Sequence, residues 1–190
     1  MAQVSTNEFK AGMKLEIEGE PYTITSVEFV KPGKGQAFTR TKIKHLKSGR
    51  VVEKTYKSGE KFDLADVEET QMRMLYKEGD SIVFMHDQTY DQITVPLAVI
   101  DKNAPYMMED IVYELIFYKG NVVDITPPIF LNMTITETAP GLRGDTASGR
   151  VLKPAQTNTG ATIQVPIFIE EGEVVKVDTR TGEYVSRVKE

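Results

Sequence analysis

The chain has 190 residues, 27% of them charged and 40% hydrophobic, with a formal net charge of -5, no cysteine and two histidines. These proportions describe globular material and exclude a disordered tail, disulfides and every thiol or cysteine-ligated metal chemistry. No apolar run reaches the roughly 18 residues that span a bilayer, and the opening MAQVSTNEFK has no signal-peptide stretch, so a cytoplasmic protein without a membrane partner is expected.

In chain order, the first third predicts short strands in MKLEIEG, PYTITSVEFV, QAFTRTKIKHL and RVVEKTY, with Gly19, Pro32-Gly33, Gly35 and Ser48-Gly49 as breakers. That spacing suits a small barrel. Within TRTKIKHL, Thr41, Ile43 and His45 alternate with Arg40, Lys42 and Lys44, and a period of two puts the three cations on one face as a basic stripe. His45 reads as a part-buried strand residue rather than a ligand or base. Between two of these strands stands Lys31-Pro32-Gly33-Lys34-Gly35-Gln36. Glycines on both sides of Lys34 free the backbone while Pro32 stiffens the approach, so the tip should project one lysine away from the barrel. The alternative is an ordinary solvated hairpin lysine. A phosphate-cradling loop is excluded, because the G-x-x-x-x-G-K-[ST] spacing is missing and no helix follows.

Charge is unevenly distributed. Residues 31–61 carry ten basic side chains against two acidic, a net of +8, whereas residues 64–127 carry four against twelve, a net of -8. Clustered cations are what phosphate binding needs, so the asymmetry points to a polyanion on the N-terminal third.

The middle third predicts a hairpin around Lys77-Glu78-Gly79-Asp80, a strand in YDQITVPLAVI and a short helix in NAPYMMED capped by Asn103. A second hairpin follows around Lys119-Gly120-Asn121. Pro127-Pro128 marks a boundary, after which IFLNMTITET, GRVLKPA, ATIQVPIFI, EVVKVD and EYVSRV form a third set of strands, the last two joined by Thr179-Arg180-Thr181-Gly182. About five short strands with at most one small helix fit a five-stranded Greek-key barrel of the OB type in each of these thirds. Tyr184 and Arg187 are three apart on a strand and should point to opposite faces.

The chemistry of a hydrolase is missing: there is no H-E-x-x-H or G-x-S-x-G, and His45 and His86 lie some forty residues apart. No residue set requires a cofactor or a metal, and no enzyme is expected. A general single-stranded RNA-binding protein built on OB barrels is an alternative, though no strand shows spaced exposed aromatics for stacking.

Two stretches carry a family resemblance. VKPGKGQAF, with Lys34 between glycines, resembles the modified loop of the bacterial elongation factor P family, and Pro140-Gly141-Leu142-Arg143-Gly144-Asp145-Thr146-Ala147, continuing to GRVLKPAQTNTGATIQVPIFIEEGE, is similar to the signature of its third domain. VDTRTGEYVSRVK resembles its C-terminus, so the likeness runs from end to end. The resemblance implies an all-β fold: an SH3-like (KOW-type) domain over residues 1–63, then two OB-type barrels over 64–127 and 128–190, elongated like a tRNA and monomeric. It also implies a non-enzymatic factor that binds the 70S ribosome between the peptidyl and exit sites and relieves stalling at consecutive prolines. Lys34 would approach the CCA end of the peptidyl-tRNA together with Lys31, Pro32, Gly33, Gly35 and Gln36. An enzyme resembling lysyl-tRNA synthetase would extend Lys34 with β-lysine, followed by hydroxylation in some members. Arg40, Lys42, Lys44, Gly144, Asp145, Thr146 and Arg187 would contact tRNA or rRNA. The paralogue that resembles elongation factor P is the alternative within the family; lysine rather than arginine at position 34 favours the main factor.

Overall fold

The computed structural model describes residues 2–141 and 151–189. Its secondary structure is almost entirely strand, in three antiparallel sheets. The first contains β1 (Gln3–Ser5), β2 (Lys14–Ile17), β3 (Glu20–Val30), β4 (Phe38–His45), β5 (Val51–Lys57) and β6 (Lys61–Leu64), ordered β1-β6-β2-β3-β4-β5. The second contains β7 (Val67–Glu78), β8 (Ser81–Met85), β9 (Gln92–Pro96), β10 (Val112–Tyr118) and β11 (Asn121–Thr126), ordered β11-β10-β7-β8-β9. The third contains β12 (Phe130–Thr138), β13 (Leu152–Thr157), β14 (Thr162–Pro166), β15 (Val174–Asp178) and β16 (Glu183–Arg187), ordered β14-β13-β12-β15-β16. Counted from its own first strand, each of the last two sheets places strand one centrally, strands two and three on one side and four and five on the other. Two sequences without a visible repeat thus share one OB-type topology. Among the described residues no helix is long and apolar enough to cross a membrane.

Packing divides the chain into two compact units, one formed by the residues up to Thr70 with Leu115–Asp124, the other by Gln71–Glu114 with the residues from Ile125 onward. In the first, Val4, Phe9, Leu15, Ile24 and Ile43 are buried together, and Tyr22, Val52, Tyr56 and Phe62 pack on them. The alternation expected in β4 holds: Thr39, Thr41 and Ile43 are buried while Arg40 and Lys42 are exposed and Lys44 half-buried. The hairpin turn after β10 also belongs here. Lys119 and Gly120 both take positive φ, +49° and +79°, the pair of values a two-residue turn with strand-matched twist requires. Beside it the Tyr118 hydroxyl donates to Gly19 O (3.4 Å), and the ammonium groups of Lys47 and Lys119 lie 5.7 and 5.1 Å from its ring centre.

In the second unit, Leu131, Met133, Ile135, Val165, Ile169, Val175 and Val177 form a buried cluster on which Tyr106, Met108 and Ile111 pack. The segment that supplies these three differs from the expected capped helix. The apolar run expected to continue as strand turns helical at Leu97–Ile100: Pro96, paired with Ser81 as the last residue of β9, has no N–H to carry the ladder further and holds the position before the helix. A 3-10 segment, Asp101–Tyr106, follows, and Asn103 sits inside it rather than capping it: its buried side-chain amide donates to Ile125 O at 3.0 Å. Thr159 Oγ1 donates to Pro105 O (2.7 Å), tying this segment to the third sheet.

Tyr113, 1% exposed, organises the same place, donating its hydroxyl to Tyr106 O and accepting from Met108 N–H (2.8 Å). Burial pushes its phenol up to about 12, against the opposing pull of the Met108 amide. The fold needs the neutral phenol, so its contribution is complete below the free phenol value near 10 and is lost as pH rises through about 12. Tyr113→Phe leaves both backbone groups without their partner and should cost about 1–3 kcal/mol in urea unfolding. The variant should also show a flatter loss of stability between pH 10 and 12 than the wild type.

Candidate nucleic-acid interface

The loop that carries Lys34 is the end of an arm. β3 is 11 residues long, and its buried stretch ends at Ile24; Val27 still packs on the core from a half-buried position, and residues 28–30, about 10 Å of strand, run on past it. A β-bulge between Ile24 and Ser26 marks the departure, and the extra residue, Thr25, donates its hydroxyl to Lys42 O (3.1 Å). β4 returns alongside, with Val30 opposite Phe38 and Phe29 opposite Thr39. Between the strands, residues 31–36 are all exposed. Gly35 has φ +110°, a conformation that only glycine adopts without strain, and a Cβ there would lie 3.8 Å from Pro32 Cγ. The chain therefore folds back over Pro32 immediately after Lys34, which leaves that lysine at the turn.

Register shows how the basic stripe is tempered. Arg40 stands opposite Glu28 on β3, with Nη1 3.3 Å from Glu28 Oε2, and its Nε is 3.9 Å from Glu53 Oε1 on β5. Its guanidinium carbon also lies 5.9 Å from the Phe38 ring centre. Lys42 faces Ser26 on one side and Glu53 on the other. Arg40 is thus partly spent on its own sheet, and Lys42 and Lys44 hold more of the outward charge. Glu28 lies outside the 31–61 block, so only cross-strand register brings it to Arg40.

His45 behaves as a structural residue. Its Nδ1 accepts from Ser48 N–H (3.0 Å), which assigns the ring proton to Nε2, 3.3 Å from Glu20 Oε2. The Lys47 ammonium, 2.9 Å away, chiefly holds the Glu20 carboxyl below the usual carboxylate range, and His45 adds to it.

At the other end of the chain, Gly144, Asp145 and Thr146 lie outside the described residues. Arg187 is ion-paired with Glu173 (Nε to Oε1 2.9 Å) and stacks 5.2 Å from the Phe168 ring centre. The expectation that Tyr184 and Arg187 face opposite ways fails. A bulge in the β15–β16 pairing sets Tyr184 opposite Val177 and Arg187 opposite Val175, two buried valines on one face. Burial raises the Tyr184 phenol while the Arg187 cation opposes the rise, consistent with that proximity.

The chain matches three family models: the elongation factor P KOW-like domain over residues 5–62, the elongation factor P OB domain over 67–125 and the elongation factor P C-terminal domain over 131–187. It is 61% identical to "Elongation factor P 2" of Protochlamydia amoebophila (strain UWE25) over 188 residues, 99% of each chain. Proteins of the same description from Chlamydia caviae and Chlamydia trachomatis serovar D are 58% and 57% identical, again over 99% of each. Among solved structures, the eukaryotic translation initiation factor 5A from Methanococcus jannaschii aligns over 65% of this chain and 95% of its own. Its TM-score of 0.49 and identity of 23% are too low to bear on individual residues.

Proposed function

The chain belongs to the elongation factor P family, and on that premise we propose that it stimulates peptide-bond formation at consecutive prolines by holding the peptidyl-tRNA through the Lys34 loop. It is a translation elongation factor and works with the ribosome. The observation that carries the finer reading is the arm itself: Lys34 stands on an exposed turn, beyond the core of the first sheet, at the end of a face rich in cations.

In this reading the factor sits between the peptidyl and exit sites with the loop, residues 31–36, at the CCA end. Lys42 and Lys44, with the remaining charge of Arg40, lie along phosphates of the acceptor arm, where cations fix register without reading sequence. Gly144, Asp145, Thr146 and Arg187 meet RNA at the far end of the chain. Lys34 is extended with β-lysine by an enzyme resembling lysyl-tRNA synthetase and then stands open to hydroxylation; the longer cation reaches further along the same path. Domain limits of 1–63, 64–127 and 128–190, a monomer and a cytoplasmic location go with this reading.

The chain supplies no bond-making group. Proline reacts slowly because its fixed φ and ring restrict the approach of the nascent chain. Holding reactants in a near-attack geometry is worth up to roughly 7–11 kcal/mol in ideal cases, and a few kcal/mol suffice to matter at a stalled step. Lys34 positions, and the ribosome catalyses. The test is the rate of tripeptide formation on a three-proline message in a purified translation system, with natively expressed protein and without it. Acceleration of at least tenfold on prolines, with little change on a proline-free message, is expected. Equal rates with and without the protein would refute the reading.

A further inference from the structure

We propose that Phe29 is a stacking platform for an unpaired base at the single-stranded end of the tRNA, which makes it a positioning residue beside Lys34; the inference rests on the reading above. Phe29 is 56% exposed. An isolated exposed apolar side chain is ordinary on a protein surface and by itself needs no explanation. Its place is what sets this one apart. It stands on the arm, past the last buried residue of β3, five positions before Lys34.

Register gives the direction. Phe29 lies opposite Thr39, and Thr39 opposite Tyr56, so the three form one row across β3, β4 and β5. Thr39 is 1% exposed and Tyr56 packs on the first-unit core, so this is the row that faces inward. At its outer end, however, the core has ended and the Phe29 ring stays open. Val27, Thr41 and Lys54 form the next row of the same face, and Lys54 is exposed. The ring therefore shares a face with one lysine and an arm with Lys31 and Lys34.

Exposed aromatic surface among clustered cations is the pairing that single-stranded nucleic acid recognises: bases lie on the ring while phosphates meet the lysines. A duplex cannot use it, because its base faces are already stacked; an unpaired end can. Lys54 on the same face and Lys31 and Lys34 on the arm select a polyanion over a neutral apolar partner, while Arg40, Lys42 and Lys44 lie on the opposite face of the sheet.

The series is Phe29→Ala, Phe29→Leu and Phe29→Trp, with wild type, Lys34→Ala and no factor alongside, each measured for tripeptide formation on three prolines across a range of factor concentrations. Leucine keeps apolar bulk without a π-face, and tryptophan keeps the face. Expected is a fall of about tenfold in the maximal rate for Ala and Leu at nearly unchanged half-saturating concentration, with Trp within about twofold of wild type. Ala equal to wild type overturns the proposal, and so does Leu equal to Phe, which would mean an apolar contact with protein. The chain has no tryptophan, so Phe29→Trp also gives a sole tryptophan, excited selectively over the tyrosines, as a reporter that needs no translation. An acceptor-stem RNA hairpin ending in single-stranded CCA should quench it, and the same hairpin with a blunt end should not; equal quenching, or none, overturns stacking. If wild type fails to speed translation while the CCA hairpin alone quenches, the proline reading falls and the stacking site stands.

Discussion

Replacing Lys34 by alanine should return proline–proline bond formation to the factor-free rate while the protein stays folded and still binds ribosomes. Residues 31–36 are exposed and Lys34 packs into neither core cluster, so truncation removes no buried surface and urea unfolding should move by no more than about 0.5 kcal/mol. The turn itself survives, because its shape is set by Pro32 and by Gly35 at φ +110°, not by the lysine. A rate loss of ten- to a hundredfold, about 1.4–2.8 kcal/mol, is the scale on which a single positioning cation acts. Lys34→Arg separates charge from chemistry. The guanidinium keeps a cation at the tip but offers no primary amine to acylate, so modification-dependent activity is lost in Arg as in Ala, whereas activity resting on charge alone survives in part. Mass spectrometry of the natively expressed peptide supplies the third arm, with added β-lysine mass expected on Lys34. Full activity of Lys34→Ala would remove the loop from the mechanism.

The features legible in advance are those set by short-range periodicity and turn chemistry. Alternation of Thr39, Thr41 and Ile43 with Arg40, Lys42 and Lys44 needs only a period of two, and it survives because no bulge falls on β4's own inward row. Gly120 announces its turn because positive φ there favours glycine, although Lys119 beside it takes the same conformation without being one of the residues that prefer it. The misread segments share a physical cause, dependence on partners distant in sequence. Leu97–Ile100 looks like the continuation of an apolar strand, and only the missing N–H of Pro96 and the packing around Ile100 make it a helix. Asn103 is a good cap by composition, yet Ile125 O, 22 positions away, takes its amide. One extra residue in the β15–β16 pairing defeats the inference about Tyr184 and Arg187, since a bulge cancels the alternation on which it rests. The candidate site follows the same division. Lys34 is visible from its glycines, but the commitment of Arg40 to Glu28 and the openness of Phe29 depend on which residues lie across the sheet and on where the core stops.

Neutralising Lys42 and Lys44 together should weaken ribosome binding in a salt-dependent way while leaving the saturated rate on prolines nearly unchanged, the reverse of the Lys34 result. The two side chains sit on the outward face of β4, clear of the row formed by Thr39, Thr41 and Ile43, so Gln at both positions leaves the core intact. Cations that pair with phosphates act by releasing condensed counterions, at about 0.7–0.9 in the log–log salt slope per phosphate. Two lost contacts should flatten that slope by about 1.4–1.8 and weaken binding about tenfold at 0.1 M salt. Surface ion pairs within the sheet contribute little to folding, so stability should hardly change. Glu53 supplies the control. It lies opposite Lys42 and 3.9 Å from Arg40, and Glu53→Gln removes the carboxylate that tempers both. That variant should bind more tightly at low salt, with a steeper slope. If the lysine pair and Glu53→Gln move affinity in the same direction, or if the double variant keeps the wild-type slope, the outward face of β4 does not meet the phosphates and the acceptor arm must be held elsewhere.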